Sequence, residues 1–97
     1  MSLPAALLIR LAVACLVAGT IAGSWWYAAL KKPGTGIFYW LAAAHTAQLG
    51  VSTAYLYGNI IHAPPAYWEQ VSGVQSLLGL CVAGLYVALV NWLVDRP

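Results

Sequence analysis

The chain has 97 residues, of which 63% are hydrophobic and only 6% charged, with a formal net charge of +2. Such a composition excludes a solvated globular domain, in which about a quarter of the residues would be charged, and the sequence holds no basic patch for nucleic acid. The six charged residues, Arg10, Lys31, Lys32, Glu69, Asp95 and Arg96, leave uncharged stretches at 11–30, 33–68 and 70–94, each long enough to cross a hydrocarbon core of about 30 Å as a helix of about 20 residues.

The first predicted helix runs over 4–30. Pro4 suits its first turn, where the missing N–H leaves nothing unpaired, and Lys31-Lys32-Pro33-Gly34 ends it. Arg10 followed by an apolar run has the outline of a signal peptide. The run exceeds the roughly 7 to 15 residues of a signal core, however, and ends in an aromatic and dibasic cluster suited to a membrane interface, so it reads as a span. Cys15 here and Cys81 later fall inside predicted spans, where a sulfhydryl serves as a small packing group, so no disulfide or metal framework is expected. Trp26-Tyr27-Ala28-Ala29-Leu30-Lys31-Lys32-Pro33 resembles the WYxxLxKP segment that ends the first helix of the tryptophan-rich sensory (translocator) family. That family continues with a Trp-x-Pro-Pro element and has five helices. This chain continues Gly34-Thr35-Gly36-Ile37 with three predicted helices, and no porphyrin-binding or steroid-binding role is carried over.

The second helix is predicted over 36–62, ending before Ala63-Pro64-Pro65, and the third over 71–94. The expected fold class is therefore an all-α integral membrane protein, one unit of three transmembrane helices joined by short loops. Lys31, Lys32 and Arg96 lie on one side against Arg10 on the other, which places the N-terminus outside and the C-terminus in the cytoplasm. Trp25, Trp26, Tyr27, Phe38, Tyr39, Trp40 and Trp92 would mark the cytoplasmic interface, and Tyr57, Tyr67 and Trp68 the other.

In the second helix, His45, Gln48, Ser52, Tyr55, Asn59 and His62 recur at spacings of 3, 4, 3, 4 and 3, which is one face of an α-helix. Lipid cannot satisfy these groups, so the stripe should face a helix, a bound molecule or a file of water. Sparser counterparts are Arg10, Thr20, Ser24 and Tyr27 on the first helix and Ser72, Gln75 and Tyr86 on the third. His45 is the best candidate ligand. Set among Leu41, Ala42, Ala43, Ala44, Ala47 and Leu49, it resembles the ligands of antenna and haem-binding membrane helices, which would make haem or (bacterio)chlorophyll its cofactor. His62 is 17 residues, or about 25 Å, further on, too far to share a metal within one chain.

Small residues recur on a neighbouring face: Ala42, Thr46, Gly50, Ala54 and Gly58 on the second helix, Cys15, Gly19 and Gly23 on the first, and Gly79 with Ala83 and Gly84 with Ala88 on the third. They permit close helix approach, with Gly19, Gly23, Gly50, Ala54, Gly58, Gly79 and Gly84 as the expected packing sites. Catalytic groupings, carboxylate pairs, phosphate-cradling loops and basic patches are all absent from the sequence. The expected function is a small non-catalytic subunit of a larger membrane complex of the electron-transfer or light-harvesting kind. Its partners would be other membrane chains or copies of itself, with bound lipid. The alternative is a homo-oligomeric pore, holin-like, lined by the stripe of the second helix.

Overall fold

A computed structural model describes residues 5–95, and these form three helices: α1 (Ala5–Lys31), α2 (Gly36–Ile61) and α3 (Pro65–Asp95). Pro4 and Arg96, invoked above for helix start and orientation, lie outside the described residues. The first connection is a tight turn in which Thr35 N–H donates to Lys32 O at 3.0 Å around Pro33 and Gly34. The second is shorter. His62 adopts a left-handed conformation (φ 54°, ψ 57°), and its N–H and that of Ala63 both close onto Gly58 O, ending α2.

α3 begins at Pro65, six residues before the expected start at 71. The proline pair that reads as a helix breaker is also a helix starter: Pro65 occupies the first helical position, where its fixed φ is already helical and its missing N–H is not needed. The extra turns carry Tyr67 and Trp68 back over the end of α2.

The three helices run antiparallel as an open layer of 58 × 23 × 18 Å. α2 is central and packs against both neighbours, whereas the backbones of α1 and α3 do not approach each other. Little is buried: Ala22, Ala29, Leu41, Ala42, His45 and Gly58, all on α1 and α2. Large apolar side chains such as Leu16, Leu30, Leu80 and Val94 are at least 70% exposed. The accessible surface is 6485 Å², against about 5,400 Å² for a compact soluble protein of this mass.

α1 and α3 are long and apolar enough to cross a membrane, while α2 does not meet that measure. The physical reason is the polar stripe, which dilutes the apolar content of α2. It is also the helix with most of its polar side covered, because α1 and α3 flank it.

Candidate functional site

The stripe on α2 divides into two parts. His45, Gln48, Ser52 and Tyr55 form the floor of a groove of about 390 Å³ that opens between α1 and α3. α1 contributes one wall through Ala14, Val17, Ala18 and Ile21, and α3 the other through Gln75 and Leu78. Asn59 instead turns back to its own helix, its Nδ2 donating to Tyr55 O at 2.8 Å. His62 sits exposed in the left-handed cap, outside the groove. The regular 3, 4 spacing therefore identifies a shared face, of which four members reach the groove.

Both ends of the groove are closed by aromatic side chains. At the end nearer the Lys31-Lys32 turn, Trp25 Nε1 donates to Tyr86 Oη at 3.1 Å, and Tyr86 Oη lies 2.8 Å from His45 Nε2. Tyr86 Oη thus bridges the indole of Trp25 and the imidazole of His45. This chain of bonds is the one direct tie between α1 and α3 among the hydrogen bonds described. Around it, Trp25 packs on Phe38 (5.7 Å between centroids) and Phe38 on Trp92 (5.8 Å). At the far end, Tyr55 Oη donates to Gln75 Oε1 at 2.6 Å, and the Tyr55 ring stacks on Trp68 at 5.7 Å and 28°.

His45 is 7% exposed, in keeping with a ring hydrogen-bonded inside the layer. To ligate a haem iron or chlorophyll magnesium through Nε2 it would have to give up Tyr86, and Trp25 and Tyr86 cover that side of the ring. Among the described residues no group of three or more His, Cys, Asp and Glu side chains is placed to hold a metal ion.

The expected polar counterparts on α1 are placed differently. Thr20 and Ser24 are exposed and donate to the backbone carbonyls of Leu16 and Thr20, each at 2.8 Å. Arg10 is exposed, and Tyr27 lies under the Lys31 ammonium at 5.6 Å. Ser72 on α3 is exposed and does not line the groove, whereas Gln75 lines it and Tyr86 reaches its end through the bond to His45. Trp25 is the member that interface placement alone does not reveal, because an indole beside a dibasic turn looks like a membrane anchor. Its signal lies in the tertiary contact with Tyr86, 61 residues away.

The small residues also separate. A Cβ added at Gly58 would come 2.5 Å from Tyr67 Cε1 and 2.9 Å from Trp68 Cη2, so two rings occupy the space that glycine leaves. At Gly19 an added Cβ would make ordinary contact with Leu49, 3.9 Å away. Gly23, Gly50, Gly79 and Gly84 have nothing within 4 Å of that position. Ala54 takes part through its backbone, its carbonyl accepting from Tyr67 Oη at 2.6 Å.

The fold and site together define an all-helical chain with two helices of membrane-spanning length and a polar-floored groove on its central helix. Comparison with protein-family models, curated proteins and solved structures returns no match.

Proposed function

We propose that the chain is a small, non-catalytic integral membrane subunit in which all three helices span the bilayer and whose outer faces pack against other membrane chains. The three-span reading is supported by the position of α2 between α1 and α3: His45 is buried and Gln48, Ser52, Tyr55 and Asn59 are half-buried, so it needs less apolar surface than an isolated span. The observation that carries the assembly reading is the open space at Gly23, Gly50, Gly79 and Gly84. Helix association in lipid relies on close backbone approach, and these positions offer it outward, where the chain itself does not use it. The dibasic turn at Lys31 and Lys32 favours a cytoplasmic location for that loop.

A packing role is better supported than a pore. His45 and Tyr55, which a water-filled lumen would need to present, are bonded to Tyr86 and Gln75. Purification in mild detergent followed by native mass spectrometry tests the reading: a partner chain or further copies should co-purify, and Gly79→Leu with Gly84→Leu should release them while the helices remain. A single chain with no partner under those conditions would sink it, and dye leakage from reconstituted vesicles would transfer support to the pore.

A further inference from the structure

The groove floor holds more hydrogen-bonding capacity than the fold consumes. His45 bonds Tyr86 through Nε2 and forms no second hydrogen bond among the described residues. Gln75 commits Oε1 to Tyr55 and keeps both amide protons. Gln48 and Ser52, both half-buried in the groove, make no side-chain hydrogen bond among the described residues. What remains unspent includes the four amide protons of Gln48 and Gln75 and the Ser52 hydroxyl proton, and no charged residue lines the groove.

We propose that this groove is a binding site for a small, uncharged, lipophilic molecule bearing carbonyl oxygens, admitted sideways between α1 and α3. Ala14, Val17, Ile21 and Leu78 give its body apolar walls, while the amides of Gln48 and Gln75 and the Ser52 hydroxyl meet its oxygens. An anion or a cation would find no counter-charge. The way in exists because α1 and α3 meet through Trp25 and Tyr86 but not along their backbones. From His45 to Tyr55 the floor is about 15 Å long. A helix laid along that floor would run into the Trp25–Tyr86 bridge. A small molecule is therefore the occupant that fits. His45 lies about 14 Å along α2 from Gly36 and Tyr55 about 9 Å from Ile61, so the floor occupies the middle of the helix, deeper than the ester carbonyls of a glycerolipid reach.

The proposal rests on the membrane reading, and one experiment separates the two. The full chain, purified in mild detergent, is irradiated with benzophenone, a neutral diaryl ketone that attaches to nearby C–H bonds, and the adducts are mapped by mass spectrometry. Adducts should concentrate on Val17, Ile21 and Leu78. Gln48→Leu combined with Ser52→Ala should lower the yield about tenfold, as loss of one or two hydrogen bonds requires. Ala18→Leu, which fills the groove without removing a polar group, should abolish the labelling, with circular dichroism confirming retained helix in both variants. Diphenylmethane, alike in shape but lacking the carbonyl, should compete at least about tenfold more weakly. Equal labelling of outward residues such as Leu16 and Leu80 would overturn the proposal, as would equal competition by diphenylmethane or by a diacylglycerol. A chain soluble without detergent refutes the membrane reading; a detergent-dependent helical chain with uniform labelling refutes the groove alone.

Discussion

Replacing Gly58 with alanine adds one methyl group where α2 and the first turns of α3 meet, and the structure sets the size of the effect. The new Cβ would lie 2.5 Å from Tyr67 and 2.9 Å from Trp68, well inside contact distance. Neither ring can simply swing away. Tyr67 is held by its 2.6 Å bond to Ala54 O, and Trp68 by its Nε1 bond to Ala63 O at 3.2 Å and its stack on Tyr55. Overpacking of this kind costs about 1–3 kcal/mol, and losing the Tyr67 bond about 1 kcal/mol more. Alanine recovers about 0.5–1 kcal/mol through its better helix propensity. The expected net destabilisation is about 1–3.5 kcal/mol. Gly50→Ala, with nothing within 4 Å of its Cβ, should be neutral or stabilising by about 0.5–1 kcal/mol. Reversible SDS unfolding followed by tryptophan fluorescence measures the difference. If the two variants unfold within about 0.5 kcal/mol of each other, the rings do not pack as described.

Tyr86→Phe removes the hydroxyl shared by Trp25 and His45 and should destabilise the chain by about 1–2 kcal/mol; in that background His45→Leu should cost less than it does alone, which a double-mutant cycle in the same assay detects. His62→Gly should stabilise the chain by about 1 kcal/mol, because a non-glycine residue at φ 54° carries left-handed strain that glycine lacks; an unchanged unfolding midpoint would refute this. Cysteines introduced at Thr35 and Ala63, in an otherwise cysteine-free chain, should be labelled by a membrane-impermeant maleimide from opposite sides of a vesicle. Labelling of both from one side would refute the three-span arrangement.

The helices and their breaks were legible in the sequence because they depend on local chemistry: charged residues cut the apolar runs, and Pro33-Gly34 and Ala63-Pro64 cannot continue a helix. The start of α3 was not, since proline stops one helix and starts the next at the same place, and only the chain direction after Pro65 separates the roles. The stripe on α2 was visible as a face through its 3, 4 spacing. That spacing says nothing about which neighbour covers each member, so the split between the groove residues and Asn59 and His62 required the packed helices. Gly58 shows the same limit. Its place in a four-residue row suggested helix backbones in close approach, whereas the space is taken by the rings of Tyr67 and Trp68, residues whose position near the turn suggested interface anchors.

The central helix leans on a different neighbour along each edge, and among the hydrogen bonds described those neighbours are tied by one indole and one phenol. In the three-span arrangement this constrains biogenesis. α1 and α3 are long and apolar enough to cross a membrane and α2 is not, so α2 would depend on α1 beside it to shield part of its polar edge. α3 arrives last, and the bond from Trp25 to Tyr86 forms only then, making that contact a marker of completed insertion.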